Sequence, residues 1–245
     1  MNMLNMDGIE FLKSLPDGSV DLVFTDPPYN ISKPGLFYRD YRSGKNGDIR
    51  RDFGEWDYNF EPEPFLIEAK RVLSDDGQIV IWTSEQLYGR YHDWLQENMF
   101  PRQMIVWEKT NPVPQFRLMG YLQATELMIW ATKTRLRKSN PNFIFMGQSE
   151  MKNIFRAPIV GGNERIKILK DGKYVSHPTQ KPLSICREIV KRHCRPDGMV
   201  VDPYAGTGTI LLAAHMEGRN AAGSEIDVNY YDAAKRRLSQ VLEVF

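Results

Sequence analysis

Two short stretches constrain this chain more than any other feature. Residues 20–25, Val-Asp-Leu-Val-Phe-Thr, run straight into Asp26-Pro27-Pro28-Tyr29. Residues 199–202, Met-Val-Val-Asp, run into Pro203-Tyr204-Ala205-Gly206-Thr207-Gly208-Thr209. Each is a brief apolar, β-prone run that ends at once in a tight turn, the pattern of a buried strand with a turn at its carboxyl end. In an open α/β sheet the ligand crevice lies outside those carboxyl ends. Both turns are therefore expected at one site.

The remaining periodicities agree with that architecture. Apolar stripes predict helices over 8–15, 65–73, 85–99, 182–193, 209–216 and 230–244, the fourth opened by Pro182 at a position that suits a first helical residue. Strands are expected near residues 4, 22, 80, 105, 128, 200 and 222, with Asp75-Asp76-Gly77 as a turn before the third. Strands alternating with helices specify an α/β fold, a largely parallel, Rossmann-like sheet of seven strands covered on both faces. No helix is evident between the strands near 105 and 128, so one of that pair is expected to run antiparallel. Residues 30–60 and 132–176 carry no sustained period, and connections of such length tend to be functional. The organisation read from this is one domain formed by 1–131 and 177–245, with 132–176 as a small insertion and 30–60 as a mobile loop.

At 245 residues and 42% hydrophobic content, a single domain with an insertion has core enough to stand without staples. The net charge of +1 conceals segregation: residues 132–176 hold ten Lys/Arg against three acids, and residues 30–51 hold six against two. Two basic insertions on a neutral scaffold suit a polyanionic partner. The phosphate-contact candidates are Arg39, Arg42 and Lys45 in the first, and Arg135, Arg137, Lys138 and Lys152 in the second. Cys186 and Cys194 lack metal-ligand spacing, and His92, His193 and His215 form neither a metal set nor a triad, so no metal is expected. The cysteines read as reduced thiols of a cytoplasmic protein. No apolar run approaches the ~18 residues of a membrane span, and the N-terminus lacks a secretory pattern. Trp82, Trp107 and Trp130 fall inside strands and are expected in the core.

The second turn carries the signature of a nucleoside site. Gly206 and Gly208 let backbone approach a ligand closely, and Glu225, at the end of the next strand, can accept both hydroxyls of a ribose. The dinucleotide fingerprint is incomplete because its third glycine is Leu211. The acid that opens the turn, Asp202, disfavours pyrophosphate and suits an ammonium or sulfonium group. A nucleoside carrying methionine fits better than one carrying phosphates.

The first turn suits work on an amine. Asp-Pro-Pro-Tyr arises by chance on the order of once in a thousand chains of this size. The exocyclic amine of adenine or cytosine is a poor nucleophile because its lone pair is delocalised into the ring. Two acceptors aimed at its hydrogens, the Asp26 carboxylate and the Pro27 carbonyl, would free that lone pair. Pro27 and Pro28 hold the carbonyl stiffly, and Tyr29 offers a face on which an extruded base can stack.

At these residues the chain resembles the β-class amino-methyltransferases of DNA, in which the catalytic motif precedes the cofactor motif. Asp26–Tyr29 resembles the family's catalytic motif in the Asp form usual for adenine-N6 enzymes. Asp202–Thr209 resembles its Asp-Pro-Phe-x-Gly-Ser-Gly-Thr motif, with Tyr204 for Phe and Thr207 for Ser. The resemblance implies S-adenosylmethionine as cofactor, held by Asp202, Tyr204, Ala205, Gly206, Thr207, Gly208, Thr209 and Glu225 and flanked by Asp26. It further implies Asp7 near the cofactor's adenine and the segment His177-Pro178-Thr179-Gln180-Lys181-Pro182, through His177, Thr179 and Lys181, over its methionine end. By the same resemblance 30–60 is a loop that orders over duplex DNA, closed by Phe53-Gly54-Glu55-Trp56-Asp57, and 132–176 contains the target-recognition region. A homodimer and a cognate restriction endonuclease are the protein partners it suggests. The leading expectation is methylation of adenine N6 on a base flipped from a specific duplex sequence. Cytosine N4, an RNA adenine, or a DNA-binding relative without activity remain alternatives, because the same turn can present either amine.

Overall fold

The structure is a computed structural model that describes residues 1–30, 60–114, 119–168 and 179–241, together with the backbone of 37–39, 48–50, 169–170, 173–176 and 242. Among the described residues six α-helices and twelve strands follow in the order β1 (Asn2–Leu4), α1 (Gly8–Lys13), β2 (Val20–Thr25), β3 (Phe37–Arg39), β4 (Asp48–Arg50), α2 (Pro62–Val72), β5 (Leu73–Thr83), α3 (Glu85–Asn98), β6 (Phe100–Lys109), β7 (Thr125–Thr132), β8 (Ile154–Ala157), β9 (Lys167–Lys170), β10 (Lys173–Ser176), α4 (Leu183–His193), β11 (Met199–Asp202), α5 (Thr209–Met216), β12 (Asn220–Ser224) and α6 (Val228–Leu242).

Eight of the strands form one sheet in the order β1-β12-β11-β2-β5-β7-β6-β8, while β3 with β4 and β9 with β10 form two-stranded ribbons. The expected sheet therefore has an eighth strand. It comes from within 132–176, where Ile154–Ala157 lies parallel to Val106–Lys109 of β6. Four residues gave no alternation long enough to announce it. Of the described strands in this sheet, β7 alone runs against the rest, which decides the orientation of the pair near 105 and 128. The Asp75-Asp76-Gly77 turn is a bulge inside β5, between Leu73 paired to Val20 and Gln78 paired to Leu22.

Strand alternation divides the core into two layers. Val23, Ile79, Ile81, Ile129 and Val201 pack with Phe11 and Leu12 of α1, Phe65 and Leu66 of α2, and Tyr91 and Leu95 of α3. Their sequence neighbours Leu22, Phe24, Val80, Trp82, Met128, Trp130 and Val200 pack with Ile185 and Ile189 of α4, Ile210 and Leu211 of α5, and Leu238 of α6. Trp82, Trp107 and Trp130 are all core residues. Both cysteines are buried and unpaired.

The chain enters the sheet twice. β1 and β2, from its beginning, flank β12 and β11, from its end. From β11 the path runs through α5 to β12 on one side, and from β2 through α2 to β5 on the other. The order reverses between β11 and β2, which is where an open α/β sheet binds its ligand. Thr25-Asp26 and Asp202-Pro203 leave the sheet side by side at that point, since Val23 pairs with Val201.

Candidate active site

A cavity of about 430 Å³ opens at this reversal point, lined by residues of both turns, the start of α1, Phe60 and the segment before α4. The two turns are tied together. Thr25 Oγ1 donates to Asp202 Oδ1 at 2.7 Å, an oxygen that also accepts from the Tyr204 amide at 3.1 Å. Glu225 folds back over the second turn, accepting from the Gly206 amide at 2.9 Å and the Asp227 amide at 2.8 Å. Gly206 (φ 53°) and Gly208 (φ 74°) are left-handed, a conformation that side-chain-bearing residues rarely adopt. Arg237 of α6 braces the turn from behind, donating to Thr207 O at 3.2 Å and Thr209 Oγ1 at 2.8 Å. The Tyr204 ring packs edge-on against Phe60 and Phe65.

This half of the site is acidic. Burial pushes the Asp202 carboxyl up to about 7, and burial likewise raises Glu225. The charges that act on Asp202 are the neighbouring carboxylates Asp26 and Glu225, which raise it further. Acceptors held in a desolvated pocket under mutual repulsion fit a ligand that brings positive charge and hydroxyl donors.

The other half is a row of alternating charge. Tyr29 Oη donates to Asp26 Oδ1, and Lys181 Nζ stands 3.0 Å from Asp26 Oδ2. The same ammonium lies 3.1 Å from Glu126 Oε2, and Lys109 Nζ lies 2.9 Å from Glu126 Oε1. Lys181 is 5% exposed and sits over the rings of Tyr29 (5.1 Å) and Trp82 (5.3 Å). Burial pulls its pKa down, but Asp26 and Glu126 more than reverse this and hold it above the usual lysine value. Burial raises Asp26, opposed by Lys181 and Tyr29. Glu126 is raised by burial but ends below the usual value because two lysines face it. Tyr29, raised by burial and by Asp26, stays protonated.

Comparison with known proteins shows the family to which a chain of this fold belongs. The N6/N4 family described as DNA methylase matches residues 20–236. The chain is 33% identical to the Type II methyltransferase M2.MboI of Moraxella bovis, covering 99% of this chain and 89% of that one. It is 34% identical to the Type II methyltransferase M.HinfI of Haemophilus influenzae, covering 98% and 68%. Among solved structures, the S-adenosylmethionine complex of M1.HpyAVI superposes with a TM-score of 0.69 at 25% identity, over 96% of this chain and 98% of that one. The cytosine-N4-specific PvuII methyltransferase superposes with a TM-score of 0.73 at 20% identity, over 96% and 85%, a likeness of fold alone.

The chain belongs to the N6/N4 DNA methylase family.

The methylase takes its methyl group from S-adenosylmethionine, and the acidic half of the cavity suits that cationic nucleoside. Asp7, Asp26, Pro28, Thr179, Lys181, Asp202, Tyr204, Ala205, Gly206, Thr207, Thr209 and Glu225 all line it. Gly208 lies just behind, as the N-terminal cap of α5. Asp7 also caps α1, accepting from the Ile9 amide at 2.9 Å and the Glu10 amide at 3.1 Å. Lys181 lines the cavity but spends its ammonium on Asp26 and Glu126. The Tyr29 ring has that ammonium over it, and its hydroxyl is used on Asp26. His177, Arg42, Lys45, the side chain of Arg39 and the 53–57 segment lie outside the described residues.

The basic residues of the methylase's 132–176 segment divide between two ends of the sheet. β7 is antiparallel, so Arg135, Arg137 and Lys138 leave the sheet at its amino end, away from the cavity. There Thr134 Oγ1 donates to Asp75 O at 2.8 Å and Asn142 Nδ2 to Asp21 Oδ1 at 3.0 Å. Lys152 is exposed beside the outermost strand, two residues before β8. The later part of the segment reaches the cavity, where Gln180 Oε1 accepts from the Ile166 amide at 2.9 Å and Gln180 Nε2 donates to Glu164 O at 2.8 Å. Sequence reasoning also missed Glu126, Lys109, Thr25 and Asn30. Asn30, left-handed at φ 54°, bonds both the amide and the carbonyl of Phe60, at 2.7 and 2.8 Å. An asparagine directly after a rigid turn, a type that tolerates that conformation, was the available signal. Among the described residues no cluster could hold a metal, and no helix is long and apolar enough to cross a membrane.

Proposed function

We propose that this DNA methyltransferase modifies adenine at N6, in a specific duplex sequence, on a base turned out of the helix into the cavity. The observation that carries the reading is the Asp26 carboxylate. It lies on the cavity wall next to the cofactor turn, with Tyr29 and Lys181 holding it from behind. A carboxylate has about four lone-pair sites, so both contacts leave acceptor capacity for an amine hydrogen. The Pro27 carbonyl accepts the second hydrogen, and the nitrogen lone pair is released from the ring. S-adenosylmethionine supplies an electrophilic methyl group when bound. Asp202 would receive its positive end and Glu225 its ribose hydroxyls. Positioning and preorganised charge carry the rate, and the methylated amine sheds its proton without a strong base.

The Asp form of the Asp-Pro-Pro-Tyr turn supports adenine over cytosine. The duplex phosphates would meet Arg165 and Lys167, in the part of the insertion that reaches the cavity. The Type II names of both relatives support a modification role beside a nuclease of the same specificity, and one 245-residue chain would embrace a duplex better as a homodimer. Nucleoside mass spectrometry of duplex DNA incubated with purified protein and S-adenosylmethionine tests the assignment. N6-methyladenine is the expected product, and N4-methylcytosine would overturn the base assignment while leaving the family intact.

A further inference from the structure

No sequence motif singles out Glu126. It heads β7, and because β7 runs against its neighbours, its first residues reach the carboxyl-end edge of the sheet where the cavity lies. There Glu126, 26% exposed, is held between Lys109 at 2.9 Å and Lys181 at 3.1 Å, and Lys181 reaches on to Asp26 at 3.0 Å. Lys109 from the end of β6, Glu126 from the start of β7, Lys181 from the segment before α4 and Asp26 from the turn after β2 thus stand in one row of alternating sign.

We propose that Glu126 is a positioning residue for methyl transfer, fixing the Lys181 ammonium at the one place from which it holds and aims the Asp26 carboxylate. The inference rests on the reading that Asp26 accepts a hydrogen of the target amine. A lysine ammonium is a strongly hydrated point charge on a flexible stem, and one carboxylate alone would not fix it. Glu126 supplies a second anchor from the opposite side, and the Tyr29 and Trp82 rings close the remaining directions. Lys109 balances Glu126, so the row has no uncompensated buried charge. Lys181 stays cationic, so the row is a scaffold of fixed charge and not a path for protons.

The groups facing Asp26 give this role a signature. They are Tyr29 on its own turn, Lys181 from the segment before α4, Glu126 from β7 with Lys109 behind it, and Asp202 from β11. Lys181 lowers the Asp26 pKa and Glu126 raises it. Glu126→Gln should therefore move the Asp26 titration down, and Lys181→Met should move it up.

The test uses the full chain and two readouts: the single-turnover rate of transfer of labelled methyl to duplex DNA at saturating cofactor, and titration of the carbon-13-labelled Asp26 carboxyl by NMR. Glu126→Gln is expected to slow transfer about 10²-fold, the scale of a misplaced catalytic group. Its cofactor affinity should stay near wild type, and its Asp26 titration should shift opposite to that of Lys181→Met. A wild-type rate, or shifts of the same sign in both variants, would overturn the proposal. If Glu126→Gln does not fold, Glu126→Asp keeps the charge and shortens the reach. It should transfer slowly with the Asp26 titration almost unmoved, and a wild-type rate there also overturns the role. Labelled methyl is counted on any base and the titration needs no turnover, so an N4-methylcytosine product would refute the adenine reading without touching this result.

Discussion

The hydroxyl of Thr25 donates to Oδ1 of Asp202 across 2.7 Å, joining the residue before Asp26 to the carboxylate that opens the glycine-rich turn after β11. The bond is buried and fixes the spacing between the Asp26–Tyr29 turn and the Asp202–Thr209 turn.

Thr25→Val keeps the shape and removes the donor, leaving Asp202 Oδ1 with the Tyr204 amide. A buried acceptor that loses a partner costs about 1–3 kcal/mol. A loss on that scale is expected in urea unfolding, together with weaker cofactor binding because the Asp202 carboxyl shifts further up. An unfolding midpoint equal to wild type would refute the structural role.

The proposed contact of Asp202 with the cofactor's positive end predicts a pH-dependent affinity. Its folded-state pKa, about 7, is raised above the unfolded carboxylate value of about 4. Its contribution to the stability of the cofactor-free chain is therefore fully present below pH about 4 and is lost as pH rises through about 7. A cationic ligand needs the ionised form, so affinity should run the other way, falling as pH drops below about 7. Calorimetric titration with S-adenosylmethionine between about pH 5.5 and 8 measures this directly. A flat profile there would remove Asp202 from the cation's binding site.

Asp26→Ala removes one of two acceptors proposed for the amine while leaving Lys181 paired with Glu126. Methyl transfer should fall by about 10²–10³-fold or more, as for loss of a preorganised electrostatic contact. Cofactor affinity should be nearly unchanged. Activity above a few per cent of wild type would sink the amine-acceptor role.

Glu225→Ala strips the Gly206 and Asp227 amides of their acceptor and takes away the proposed ribose contact. Cofactor affinity is expected to drop at least about tenfold, the equivalent of about 1.4 kcal/mol, with DNA affinity measured by fluorescence anisotropy much less affected. Equal losses for both ligands would point to general damage instead of a cofactor contact.

By itself the sequence determined what is local. Short apolar, β-prone runs placed β2 and β11 at their observed bounds, the helical stripes placed the six described α-helices to within a few residues, and the glycine and proline turns announced both walls of the cavity. Each of these signals is carried by residues within a few positions of one another, where steric preference and apolar period act directly. Only the tertiary structure decided which ends meet. Strand direction is not written in a strand's own residues, yet the reversal of β7 brings Glu126 to the cavity and carries Arg135, Arg137 and Lys138 away from it. Lys181 was legible as part of a motif, but its partners were not, because they come from strands that adjoin only once the sheet is assembled. A buried ammonium is held by whichever carboxylates the fold brings within reach, and Thr25 finds Asp202 across 177 residues for the same reason.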